Sequence, residues 1–294
     1  MTPTTPARRA FLPILALLIA ALTGAGGATA ATLELADTLL PGKAVFLTVK
    51  DAPPGTTFQG GALQGVPFPL SDDGRALVAL DMEAKPGAYL LRVRMRTPEG
   101  KPASITRTIR VGPRKYQEER LNLPETKVTP NPKDMARAEK ETAKLLATYT
   151  LRDGEPGYLE GFRMPVPGRI SGVFGSRRIL NGKPRNPHNG LDLAAGKGTP
   201  VTAIAPGVVA MTGKDFFFTG NTLVLHHGDG VVSLYAHLDT MTVKEGERVT
   251  KGQEIGRVGM TGRATGPHLH FGTLVRGARV DPSLMPGVAS PGGD

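Results

Sequence analysis

All six histidines of the 294-residue chain fall between positions 188 and 270, and their spacing suits metal chemistry. In GPHLHF, His268 and His270 are two residues apart, and on a β-strand the side chains of residues i and i+2 leave the same face. In PHNGLDL, His188 and Asp192 are four apart, again an even interval. His237 closes the apolar run LYAHL. Each element alone has an ordinary reading: HxxxD pairs arise on exposed loops, and a strand-end histidine is commonly a satisfied structural group. Together they meet one requirement. A hydrolytic zinc takes three protein ligands and leaves a fourth position for water, whose pKa falls towards about 7. HxxxD can supply two ligands and the HLH pair one. That leaves His237 and the other HLH histidine for proton transfer and for stabilising the oxygen anion of a tetrahedral intermediate. The chain has no cysteine, so thiolate ligands and disulfides are excluded and any metal must be held by nitrogen and oxygen.

The elements that position these residues read as mostly β. Glycine (38) and proline (26) are abundant and tryptophan is absent, which favours short strands and turns over long packed helices. Residues 32–112 show half-buried strands. In AYLLRVRMRT, Tyr89, Leu91, Val93 and Met95 alternate with Arg92, Arg94 and Arg96, and SITRTIRV puts Ile105, Ile109 and Val111 on one face. Breakers such as Pro53-Pro54-Gly55, Asp73-Gly74 and Pro86-Gly87 divide the segment as in an immunoglobulin-like sandwich. Residues 113–160 read as a polar linker of little β character with one amphipathic helix, Pro132 to Tyr149, capped by Asn131. Such a helix is expected to pack as a connector or, in a latent form, to lie over an active cleft. Residues 161–294 are again rich in short strands, among them 201–205, 223–225, 231–235 and 255–258, and form an antiparallel domain that contains every histidine. His226 and His227 sit at an expected hairpin tip, HHGDG, and are read as structural or water-facing. Arg177, Arg178, Lys183 and Arg185 could meet substrate carboxylates, although solvation of a loop explains them as well.

Residues 1–31 read as an export signal. Arg8 and Arg9 precede an apolar run from Phe11 to Leu22, with small residues before an expected cleavage near Ala30 or Ala31. The run is short for a bilayer span, and retention as an anchor is the alternative. The net charge is +10, and residues 161–294 carry 15 Lys/Arg against 9 Asp/Glu. This favours an anionic partner, and with export expected, nucleic acid is set aside in favour of envelope polymers or lipid headgroups.

The segments RRILNGKPRNPHNGLDLAA, GTPVTAIAPGVV, GNTLVLHHGDGVVSLYAHL and GRVGMTGRATGPHLHFG, in order over residues 177–272, resemble the M23 family of LytM or lysostaphin-like zinc endopeptidases. The resemblance implies one zinc ion bound by His188, Asp192 and His270, with His237 and His268 as the catalytic pair. It also implies a periplasmic or envelope enzyme that hydrolyses peptide bonds in peptidoglycan stem or cross-link peptides. Gly272 departs from the family, where a glutamate often follows HLHF. Alternatives are a silent or latent wall-binding activator of another hydrolase, which a complete ligand set disfavours, and a peptidase directed at proteins.

Overall fold

The computed structural model describes residues 31–121, 131–184 and 186–288. The expected leader through Ala30 and the basic residue Arg185 lie outside the described residues. The architecture is mostly β with one long helix.

Residues 32–111 form two sheets. One has the order β1 (Thr32–Glu34), β3 (Ala44–Lys50), β6 (Arg75–Ala79). The other has the order β2 (Thr38–Leu39), β8 (Pro102–Val111), β7 (Gly87–Arg96), β4 (Thr57–Leu63), β5 (Val66–Phe68). Pairing is antiparallel except between β2 and β8. The alternation read in the sequence decides which side faces in. Leu91, Val93 and Met95 of β7 and Ile109 and Val111 of β8 bury against Leu47, Val49, Ala76 and Val78 of the other sheet. The opposite face of β3 and β6, with Ala44, Phe46, Leu77 and Ala79, packs into the core of the C-terminal part. The sandwich therefore rests on the C-terminal domain through its three-stranded sheet.

Ion pairs and backbone bonds fasten that junction. Arg279 holds Asp81 (2.7 Å) and Glu83 (2.8 Å), Arg114 holds Asp281, and the amide of Asp281 donates to the carbonyl of Gly42 (2.7 Å). Arg276 pairs with the buried carboxylate of Asp229 and also donates to the carbonyl of Leu77, so one guanidinium ties the two parts together.

The connecting segment differs from its sequence reading in one respect. Glu118–Leu121 (β9) forms a strand, running parallel to Arg177–Leu180 (β11), which turns back into Lys183–Pro184 (β12). The stretch QEERL carries no apolar alternation that would announce a strand. The helix α1 spans Pro132–Thr148, and the Asn131 side chain accepts from the amide of Asp134 (2.9 Å), as expected of a cap followed by proline.

The C-terminal domain is built on a ten-stranded antiparallel sheet. Its main path is β10 (Arg169–Gly172), β13 (Leu191–Ala194), β20 (His268–Val275), β17 (Val231–Met241), β16 (Gly220–His226), β15 (Gly207–Phe216), β18 (Arg248–Val249). β14 (Pro200–Thr202), β19 (Glu254–Val258) and β21 (Ala278–Val280) pair alongside. One face buries Leu191, Leu193, Tyr235, Leu269 and Phe271 in the main core. On the other face, Val224, Val232, Leu234, Ala236 and Leu274 form a smaller cluster onto which Leu145 of α1 and Tyr149, the residue that caps its C-terminal end, pack.

Candidate metal centre and active site

The register of three strands places the candidate ligands side by side. Asp192 on β13 is directly opposite His270 on β20, and His270 is opposite Ala236 on β17. Directly paired residues share a face, so the polar cluster continues the same face that α1 covers farther along. From His270 to Leu274 is four residues, about 13 Å of strand. The helix thus lies on the site's own sheet face, beside the cluster. Side-chain exposures of 17% for His268, 15% for Asp192 and 13% for His270 leave the cluster reachable.

His188 reaches the cluster from the loop before β13, anchored by backbone bonds between Gly175 and His188 (2.7 Å) and between His188 and Ser176 (2.9 Å). Its Nδ1 is 3.0 Å from the carbonyl of Val173, which can only accept, so Nδ1 carries the proton and Nε2 presents a lone pair. That Nε2 is 3.0 Å from Asp192 Oδ1 and 3.0 Å from His270 Nδ1, and the last two atoms are 2.8 Å apart. Three donor atoms with electron pairs thus converge in a small triangle. Its edges approach the roughly 3.3 Å expected between ligands around a tetrahedral zinc with bonds of about 2.0–2.1 Å. Buried electron pairs facing one another repel unless a cation or protons lie between them. The donor set of two imidazole nitrogens and one carboxylate oxygen therefore fits zinc. Burial acts to raise the Asp192 carboxyl, but where the facing His188 and His270 nitrogens carry protons in place of a metal they outweigh it and hold the group well below the usual carboxylate range, so the carboxylate stays ionised.

Two glycines make room for this packing. A Cβ on Gly172, across from Asp192 on β10, would lie 2.3 Å from Asp192 Oδ2. One on Gly190 would lie 2.5 Å from the carbonyl of Phe271 and 3.0 Å from His270 Cε1.

His237 and His268 stand beside the triangle, their ring centres 4.7 Å apart, with His237 6.2 Å from His270. His237 has a left-handed backbone (φ 62°) at an irregular step of β17, which swings its side chain out of the regular alternation. Two loops hold it. Its amide donates to the carbonyl of Thr219 (2.8 Å), and its Nδ1 donates to the carbonyl of Thr261 (2.8 Å). Nε2 is left as a base. Burial is the main cause that pushes the His237 imidazole down to about 4, so it is neutral near pH 7. His268 is oriented in the same way, its Nδ1 donating to the carbonyl of Gly266 (2.9 Å) and its Nε2 4.0 Å from Asp192 Oδ1.

All five residues singled out in the sequence therefore come together. The backbone carbonyls of Val173, Thr219, Thr261 and Gly266 that orient them leave no sequence signature. Gly172 does leave one, as a glycine at a strand end where another chain segment approaches closely.

The remaining histidines are both buried, so neither faces water. His227 lies between the carbonyl of Pro206 (2.8 Å) and the hydroxyl of Ser233 (2.7 Å), and burial pushes it down to about 4. Burial likewise lowers His226. The reason is the segment 154–158, which crosses the hairpin tip. A Cβ on Gly228 would meet the carbonyl of Glu155 at 2.1 Å, and Tyr158 donates to Asp229 (2.7 Å). Arg177 and Lys183 are exposed on the β11–β12 hairpin.

The sequence profile of peptidase family M23 matches residues 186–282, which contain all five clustered residues. Peptidoglycan DD-endopeptidase ShyA of Vibrio cholerae is 45% identical over 122 residues, 40% of this chain and 28% of that protein. DD-carboxypeptidase/endopeptidase Mpg of Neisseria meningitidis is 44% identical over 114 residues, 39% of this chain and 26% of that protein. The chain thus spans about a quarter of the length of these curated relatives. A crystal structure described as an M23 peptidase of Pseudomonas aeruginosa is similar at 30% identity and a TM-score of 0.57. That match covers 83% of this chain and 93% of the other, so it extends into the N-terminal sandwich.

Proposed function

Because the chain belongs to peptidase family M23, we propose that it is an exported, zinc-dependent endopeptidase acting on the stem or cross-link peptides of peptidoglycan. The observation that carries this reading is the convergence of His188 Nε2, Asp192 Oδ1 and His270 Nδ1 beside two further imidazoles. The named activities of the Vibrio and Neisseria relatives support the choice of substrate and, with the apolar leader at residues 1–31, an envelope location. In this reading residues 32–112 are an immunoglobulin-like module, 113–160 a linker and 161–294 the peptidase domain.

His188, Asp192 and His270 would hold one zinc ion. When bound, zinc supplies Lewis acidity, which activates water and polarises the scissile carbonyl. The chain's own groups handle protons and orientation. His237, neutral and with Nε2 unprotonated, takes the proton of the attacking water. His268, held through Nδ1 by Gly266, stabilises the oxygen that gains charge when its Nε2 also carries a proton, and the proton that His237 takes from water is the one returned to the departing amine.

Purified sacculi incubated with the protein should release peptide-cleaved fragments, identified by mass spectrometry. Release should stop with a chelator and return with zinc. Undiminished release under chelation would refute the proposal. Absence of cleavage combined with stimulation of a separate wall hydrolase would replace it with the activator reading.

A further inference from the structure

The five-stranded sheet of the N-terminal sandwich has an outer face of one sign. Arg92, Arg94 and Arg96 leave β7 on the side away from the sandwich core, and Arg110 joins them from β8; all four are exposed. Along a strand such residues stand about 6.8 Å apart. Across the sheet their partners are neutral: Arg92 faces Thr106, Arg94 faces Ser104, and Arg110 faces Ala88. None of the five strands contains an aspartate or glutamate. The flanking carboxylates are spoken for or peripheral. Asp37 is paired with Arg107, which sits on the inner side, and Glu99 lies in the β7–β8 turn bonded to Thr97. Among the described residues none of the four arginines is in an ion pair, and Arg96 alone donates a side-chain hydrogen bond, to the carbonyl of Gly100 (3.0 Å).

This arrangement does nothing for the fold. Cross-strand pairs stabilise a sheet when their charges are opposite, and like charges in a row oppose it. A flat row of guanidiniums is suited instead to phosphate, which each can bind through two parallel hydrogen bonds. The layering of the molecule selects the partner. The C-terminal domain packs on the outer face of the other sheet, at Ala44, Phe46, Leu77 and Ala79. The arginine face therefore looks away from the catalytic cluster. A polymer bound there would not be presented to the histidines. A planar anionic surface would leave them free on the far side.

We infer that the Arg92–Arg94–Arg96–Arg110 face docks on an anionic phospholipid surface and holds the peptidase domain outward from it. Docking is independent of the leader and of catalysis. Each arginine contributes about a fivefold gain in partitioning to an acidic surface, and the gain fades as salt shortens the Debye length below about 10 Å.

The test is vesicle co-sedimentation of the protein lacking its first 30 residues, whose removal takes away none of the described fold. Phosphatidylcholine vesicles are compared with vesicles also containing phosphatidylglycerol. The expected result is salt-sensitive binding to the anionic vesicles only. The triple variant Arg92→Gln, Arg94→Gln, Arg96→Gln should bind about a hundredfold more weakly, with an unchanged melting temperature. A charge-matched variant of α1, Lys133→Gln, Lys140→Gln, Lys144→Gln, should bind as the parent does. Equal loss in both variants would show a general charge effect and overturn the proposal. So would binding to neutral vesicles, no binding at all, or capture by purified wall polymer at the expense of vesicles.

Discussion

Adding a single methyl group next to the site, without altering any ligand, provides a demanding test. At Gly172 a Cβ would fall 2.3 Å from Asp192 Oδ2 and 2.9 Å from its Cγ. Ordinary contact begins near 3.4 Å, so the carboxylate has to move by about 1 Å. The backbone of Asp192 is pinned between β10 and β20, which leaves side-chain rotation as the main escape. Rotation relieves the Oδ2 and Cγ contacts, and the remaining 3.0 Å contact with Asp192 Cβ asks the strands to part by only a few tenths of an ångström, so the cost to the fold is small. The rotation does carry Oδ1 out of its 2.8 and 3.0 Å contacts with His270 and His188. Displacements of this size cost roughly 10- to 100-fold in metal affinity or rate. Gly172→Ala should therefore weaken zinc binding by about that factor in competition with a chromophoric chelator, and slow peptide release similarly. The metal-free melting temperature should stay within a few degrees. Gly196→Ala, outside the site and with the nearest atom to a Cβ at 3.9 Å, is the control. Zinc affinity within twofold of the parent in Gly172→Ala would refute the reasoning.

Further outcomes follow from the packing around the site. Arg276→Met leaves the buried Asp229 carboxylate unpaired and should destabilise the protein by about 3–5 kcal/mol at neutral pH, seen in chemical denaturation. Burial already raises the Asp229 carboxyl, so the deficit should shrink on acidification, and adding Asp229→Asn should recover most of it. Burial depresses His227 to about 4, so its contribution to stability is present above the ordinary histidine value of about 6.5 and is lost as pH falls towards 4. With chelator present to remove metal effects, the acid loss of stability over that window should be smaller in His227→Gln. Glu141 on α1 accepts from the amide of Phe217 (2.7 Å), in the turn whose Thr219 carbonyl holds His237. Glu141→Ala should lower kcat by about tenfold with little change in KM, and Glu141→Gln, which keeps a carbonyl acceptor, should restore most of it.

The parts of the molecule legible in the sequence were those recorded by side-chain type. Alternation around Leu91–Met95 gave the strand and its faces, Asn131-Pro132 gave the start of α1, and even spacing of histidines put His268 and His270 on one side of β20. Features made by backbone groups were not legible. Glu118–Leu121 joins a sheet without any apolar alternation to mark it, and the left-handed turn of His237 depends on the Thr219 and Thr261 carbonyls. Burial of His226 and His227 follows from residues 154–158 crossing the hairpin tip, a contact between segments about 70 residues apart. The site of α1 was half legible. Its apolar stripe required a surface, but only the pairing of His270 with Ala236 shows that this surface continues into the catalytic face.

The central claim is that His188, Asp192 and His270 together hold one zinc ion that peptide cleavage requires. The most direct measurement is the zinc content of purified protein by mass spectrometry, taken alongside cleavage of sacculi, for the parent and for His270→Ala. The account predicts about one zinc per parent chain, with metal and cleavage lost together in the variant while His237 and His268 remain. Cleavage retained by a variant free of zinc, or a parent that cleaves without binding the ion, would contradict it.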